Sequence, residues 1–202
     1  MKLELQINKN SIFVPLKNKW YSLTPEEKLK QEFIIKLVNH YGYTLNQLDQ
    51  DVVIKKNYKA DIAIWKSNED KINHKVPTII IAVECKADYL KIKFDDYLKG
   101  YKSAGDAKAD FFIAANLKET KVFKVIKDLP YDSDVLKDIP NANIITSESK
   151  IKSFLNESKI FTRDEFSKLL FRCHNIIRNN DKLSPEAAFD EISKILFMKI
   201  YY

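Results

Sequence analysis

Asp61, Glu84 and Lys86 are the side chains whose types and spacing suit metal-assisted hydrolysis. Glu84-Cys85-Lys86 follows directly on Thr78-Ile79-Ile80-Ile81-Ala82-Val83, the most apolar run in the chain, where surface charge is unexpected. Strand periodicity puts Glu84 and Lys86 on one side of a sheet and Cys85 on the other. Asp61 opens the preceding strand-like segment Ile62-Ala63-Ile64-Trp65, so neighbouring strands would gather all three at one end of the sheet. Two carboxylates and an ammonium at the end of a buried strand need a cation and water to satisfy them. A hard divalent ion, Mg²⁺ with Mn²⁺ as a substitute, takes oxygen ligands of this kind: the carboxylates of Asp61 and Glu84, the backbone carbonyl of Cys85, and waters. A metal-bound water of lowered pKa is then the nucleophile, and Lys86 orients it or stabilises charge on a phosphate. The chemistry implied is hydrolysis of a phosphodiester bond. A Glu-x-Lys tripeptide alone is commoner as a same-face ion pair, and an Asp at a strand start as a turn residue. The apolar run before Glu84 and the Asp on the strand before it favour the site.

The surrounding elements must hold these residues. Thr24-Pro25-Glu26-Glu27 is a helix start, with Thr24 as cap, Pro25 at the first helical position and Glu27 completing a capping box. Leu29, Phe33, Ile34, Leu37 and Val38 then recur at helical spacing up to about Tyr41 and Gly42. Short strands are expected over Asp51–Ile54 and Ala60–Trp65, and a polar turn over Asn68–Lys75. The run from Thr78 is β-branched and unalternating, which suits a strand covered on both faces. Phe94, Tyr97, Leu98 and Tyr101 form a helical stripe, and Phe111–Ala115 with Lys121–Val125 reads as a strand pair. Helix, three strands, helix, two strands predicts an α/β fold, a mixed sheet flanked by helices. Between Leu129 and Asn143 the chain becomes acidic and turn-rich, framed by Pro130 and Pro140, with an edge strand expected at Asn143–Thr146. Helical patterns follow over Ser147–Ser158, Thr162–Asn179 and Pro185–Tyr202. The expected organisation is one α/β domain over residues 1–145 and a helical segment over 146–202. The last helix still brings apolar residues at Ile195, Leu196, Met198 and Ile200 and lacks a cap, so a longer parent chain is expected.

Composition narrows the choices. With 202 residues and 45% hydrophobic side chains the chain can fill a core. The formal charge of +6 is a mild pointer to a polyanion, which an AT-biased genome rich in Lys, Asn and Ile codons would also produce. Three glycines exclude a glycine-rich phosphate loop, and no dinucleotide, methyltransferase or helicase motif is present. Cys85 and Cys173 have no metal-ligand spacing and read as reduced thiols; His40, His74 and His174 form no cluster. No signal peptide or membrane-length apolar run occurs, so a cytoplasmic location without a membrane partner is expected. Lys91, Lys93, Lys99, Lys102 and Lys108 follow the candidate site; solvated helix faces explain most, and phosphate tracking a few.

The stretches Thr24–Gln31, Tyr41-Gly42-Tyr43, Lys59–Ile64 and Ile81–Ala87 resemble the N-terminal nuclease domain of the restriction subunit of type I restriction–modification enzymes, over about residues 5–127. The resemblance implies a restriction-endonuclease-like fold of the PD-(D/E)XK type, with Asp61, Glu84 and Lys86 as active residues of a metal-dependent endodeoxyribonuclease acting on double-stranded DNA. It implies a supporting role for the first helix, where Glu27 or Gln31 could reach the metal, and for Tyr101. That family often carries Gln-x-x-x-Tyr on the next helix; here Tyr97 replaces the Gln, and Ala60 replaces the usual Pro before Asp61. Core packing of one of the two tyrosines therefore stays open beside contact with DNA or the active site. Phe166–Tyr202 resembles the start of the helical domain that precedes the adenine methyltransferase in single-chain restriction–modification enzymes. That likeness implies S-adenosylmethionine only in a part beyond this chain, with further domains of the same polypeptide or methyltransferase and specificity subunits as partners. An ordinary helical hairpin is the plainer reading. Two rival functions share the fold: a DNA-binding or scaffold module that does not cut, and a structure-specific repair nuclease such as a junction resolvase. The intact Asp61, Glu84 and Lys86 oppose the first, and the helical tail opposes the second.

Overall fold

The computed structural model describes residues 2–55, 58–83, 94–116, 118–126, 135–158 and 163–201. It divides into two compact units, Met1–Ile160 and Phe161–Tyr202.

The first unit opens with a small antiparallel sheet of β1 (Ile7–Asn8), β2 (Ser11–Val14) and β3 (Lys19–Ser22). The sequence pattern gives no warning of it, because strands of two to four residues are too short for an alternation signal. Ile12 and Val14 are fully buried. Helix α1 (Pro25–Asn39) then starts where expected: Thr24 is extended, and its hydroxyl accepts the Glu27 N–H at 3.0 Å. Gly42 follows at φ +74°, a left-handed turn position that glycine takes without steric penalty.

The main sheet runs through β4 (Leu48–Lys55), β5 (Tyr58–Ile64), β6 (Ile79–Val83), β7 (Phe111–Ala115), β8 (Thr120–Lys124) and β9 (Val135–Leu136), neighbours in that order. β6 and β7 are parallel and every other pair is antiparallel. A parallel pair requires a crossover, and α3 (Phe94–Ala107) lies in it. The short helix α2 (Asn68–Ile72) occupies what the sequence suggests is a turn, because Ser67 caps the Asp70 N–H at 3.1 Å.

The core has two layers, one on each face of the sheet. Ile79, Ile81 and Val83 pack with Leu29, Phe33, Ile34 and Leu37 of α1. Ile80 and Phe112 pack with Tyr97 and Tyr101 of α3 and with Phe123. β6 is thus covered on both faces, which is why its sequence does not alternate.

One expectation about the end of this unit is corrected. Ile144–Thr146 is a turn of 3-10 helix rather than an edge strand, and β9 forms that edge. The Asn141 carboxamide accepts the N–H groups of Asn143 and Ile144, each at 3.0 Å, which curls the backbone away from extension. Helix α4 (Glu148–Ser158) belongs to the first unit: Ile151 joins the α1-side core and Phe154 meets Phe111 edge-on at 6.4 Å. The first compact unit includes α4.

The second unit is a helical hairpin of α5 (Arg163–Asp181) and α6 (Pro185–Tyr201). Ser184 accepts the Ala187 N–H at 3.3 Å, Ala188 and Ile192 are buried, and Cys173 is a free thiol. Among the described residues, no helix is long and apolar enough to cross a membrane.

Candidate active site

Helix α1 turns part of its polar surface inward. Glu27, Lys30, Gln31 and Ile34 recur at i, i+3, i+4 and i+7 and share one face, and all four are buried. Gln31 is 1% exposed and Lys30 5%. The Glu27 side chain does not complete the expected capping box. The Thr24 N–H goes to the Ser22 carbonyl at 3.0 Å, and the Glu27 carboxylate faces the sheet. Its Oε1 accepts from Gln31 Nε2 at 2.7 Å and from Gln50 Nε2 at 3.2 Å. Gln31 Nε2 also donates to Gln50 Oε1 at 2.9 Å, and Gln50 Nε2 to Asp51 Oδ2 at 3.3 Å. The buried Gln31 Oε1 is left without a hydrogen-bond partner among the described residues.

Asp51 sits in β4 at φ +59°, flanked by the pairs Gln50–Ile62 and Val52–Ala60, hence level with Asp61 on β5. Asp is one of the few residue types that tolerates this left-handed conformation. The Lys30 ammonium lies 3.2 Å from Asp51 Oδ1, 3.2 Å from Glu26 Oε1 and 3.4 Å from Asp61 Oδ1. Lys59 approaches Asp51 Oδ1 at 3.2 Å. The β5–β6 register at this end closes with Ile62 opposite Ile81. Beyond it, Asp61 Oδ2, in place of a backbone carbonyl, accepts the Val83 N–H at 2.8 Å.

Charge is distributed unevenly over this cluster. Burial pushes the Asp61 carboxyl above its usual range, against the opposing pull of the Val83 N–H and Lys30, while nearby Glu26 adds to the rise. Burial also acts to raise Asp51, but Lys30 and the hydrogen bonds from Lys59 and Gln50 outweigh it and leave Asp51 below its usual range. Burial disfavours the Lys30 ammonium, yet Asp61 and Asp51 prevail and hold its pKa above the ordinary value.

Of the residues singled out from sequence, Asp61, Glu27 and Gln31 lie in or next to one connected network. Glu84, Cys85, Lys86, Lys91 and Lys93 lie outside the described residues, and Val83 is the last described residue of β6. Tyr101 is not brought to Asp61. It is 2% exposed on the α3 face of the sheet, edge-on to Phe112 and Phe123, and its hydroxyl accepts the Ile126 N–H at 3.1 Å. Tyr97 packs there too, stacked on Phe123 at 5.1 Å, so both tyrosines are core aromatics. Lys99, Lys102 and Lys108 are exposed. Among the described residues, no three His, Cys, Asp or Glu side chains form a complete metal cage. Sequence reasoning missed Lys30, Gln50 and Asp51. The available signal was Lys30 itself, a charge at the buried helical spacing between Glu27 and Ile34.

A six-stranded mixed sheet, helices on both faces and a half-buried aspartate bonded to the end of the central apolar strand define the restriction-endonuclease-like class of α/β protein. The family model for the type I restriction enzyme R protein N terminus (HSDR_N) matches residues 25–140, and the chain belongs to that family. Membership makes it a restriction-enzyme domain, of a class whose substrate is DNA. No curated protein and no solved structure matches the chain significantly.

Proposed function

We propose that this chain is the DNA-cleaving domain of a restriction–modification enzyme, hydrolysing phosphodiester bonds with Mg²⁺, and that Asp61, Glu84 and Lys86 carry the reaction. The observation that carries this reading is the bond from the Val83 N–H to Asp61 Oδ2 at 2.8 Å. It ties the aspartate to the residue immediately before Glu84-Cys85-Lys86 in the chain.

The donor chemistry fits a hard cation. Among the described residues, Lys30 engages Asp61 Oδ1 and the Val83 N–H engages Oδ2, and a carboxylate oxygen has a further lone pair to offer. The orphaned Gln31 Oε1 is another buried oxygen acceptor in the network that leads to it. All-oxygen sites of this kind suit Mg²⁺ or Mn²⁺. Asp61, Glu84 and the Cys85 backbone carbonyl would hold the ion. When bound, it would polarise a phosphoryl oxygen and lower the pKa of a coordinated water. The chain's own part includes holding the Asp61 carboxylate in one orientation. Lys86 would orient the attacking water or offset negative charge building on the phosphate. One P–O bond forms to the water oxygen, one P–O ester bond breaks, and the departing oxygen takes up a proton.

Plasmid nicking tests the proposal. The chain should relax supercoiled DNA with Mg²⁺ or Mn²⁺ and not with EDTA, and Asp61→Ala or Lys86→Ala should remove the activity. Calorimetry should show metal uptake that Glu84→Ala abolishes. Metal uptake without any nicking would favour a DNA-binding module that does not cut.

A further inference from the structure

Lys30 is a buried ammonium that the mechanism above does not use. It touches carboxylates from its own helix and from two adjacent strands: Glu26 and Asp51 at 3.2 Å, and Asp61 at 3.4 Å. We propose that Lys30 is a positioning residue that fixes the Asp61 carboxylate against the end of β6, with Asp51 as the second anchor that keeps the ammonium in place. The inference rests on the nuclease reading and adds two residues to it.

Asp61 is held at both oxygens, Oδ2 by the Val83 N–H and Oδ1 by Lys30. A two-point hold selects one orientation of the carboxylate, and loss of the Lys30 contact would leave, among the described residues, the single bond from the Val83 N–H about which it can turn. Asp51 is in left-handed backbone within a strand, a conformation uncommon outside glycine that persists where the surroundings enforce it. Here it delivers a carboxylate to Lys30 beside Asp61. Lys59 reaches the same Oδ1, Gln50 holds Oδ2, and Glu27 and Gln31 brace Gln50. The strained residue and the buried hydrogen bonds thus converge on one ammonium. A lysine at 5% exposure is costly unless paired, and the pairing found here leads straight to the catalytic aspartate.

Mn²⁺ binding to the full chain, read from the electron paramagnetic resonance signal of the free ion, tests this. Loss of a group that orients a metal ligand typically weakens affinity about 10- to 100-fold. Lys30→Met should therefore raise Kd at least about tenfold, Lys30→Arg should stay within about threefold, and Asp51→Asn should raise it about threefold. Charge alone predicts the opposite sign, since removing a cation beside a ligand should tighten Mn²⁺ binding. Unchanged or tighter binding by Lys30→Met overturns the proposal. If Asp61→Asn still loses the ion in that experiment, the nuclease reading stands without it. No Mn²⁺ uptake by the wild-type chain overturns both. Should Lys30→Met fail to fold by circular dichroism, Asp51→Asn decides, and wild-type affinity in that variant overturns the proposal.

Discussion

Glu27 accepts two amide hydrogen bonds at a position only 9% exposed, so its loss strands donors that water cannot reach. Glu27→Ala removes one acceptor each from Gln31 and Gln50, and buried groups left this way cost about 1–3 kcal/mol. The variant should lose about 2 kcal/mol, seen as a lower urea midpoint at unchanged slope. Glu27→Gln keeps an acceptor oxygen and should lose less than about 1 kcal/mol. Equal losses in the two variants would mean that shape, not hydrogen bonding, sets the position. At this scale the sequence marked Asp61 only through its place on the strand before the apolar run that ends in Glu84-Cys85-Lys86. It was silent on Gln50 and Asp51. Gln50 is buried only because α1 presents Glu27 and Gln31 to it, and the left-handed turn at Asp51 leaves no pattern of residue types.

Helix α3 shows what an element requires of single residues. From sequence, Gly100 and Gly105 are two alike glycines in a helix interior, each expected to cost about 1 kcal/mol against alanine. The packing separates them. A Cβ on Gly100 would stand 2.6 Å from the Tyr58 hydroxyl and 2.9 Å from two Phe112 ring carbons. Phe112 is fully buried between Tyr97, Tyr101 and Phe123, so it has nowhere to move. Gly100→Ala should therefore destabilise by about 1–2 kcal/mol, overpacking exceeding the helical gain. A Cβ on Gly105 would meet Val125 Cγ1 at 3.8 Å, ordinary contact, and Gly105→Ala should stabilise by about 0.5–1 kcal/mol. Thermal unfolding that moves both variants in one direction would remove the argument for close approach at Gly100. The same contrast explains which elements were legible. β6, β7 and α1 carry long apolar or capped patterns, whereas β1 and β9, at two residues each, exist through their partners.

For the whole molecule the question is where the restriction-endonuclease-like unit ends. The turn-rich stretch around Pro130 and Pro140 resembles a linker, and the helices after it form a plausible set of their own. A helix does not state in its sequence which surface it will cover, and α4 covers the first unit. Ile151 is buried in the α1-side core, with Phe154 and Leu155 packed against it. Full burial of one such side chain contributes about 1.5–3 kcal/mol, so removing α4 should forfeit about 3–5 kcal/mol, a large share of the 5–15 typical of a domain. A chain ending at Ile160 should unfold in one cooperative transition, with the same metal affinity as the full chain. A chain ending at Ile145 should melt at least about 10 °C lower, or not fold, by circular dichroism. Equal melting temperatures for the two would assign α4 to the second unit. Among the described residues, the network from Glu27 to Asp61 is drawn from α1, β4, β5 and β6.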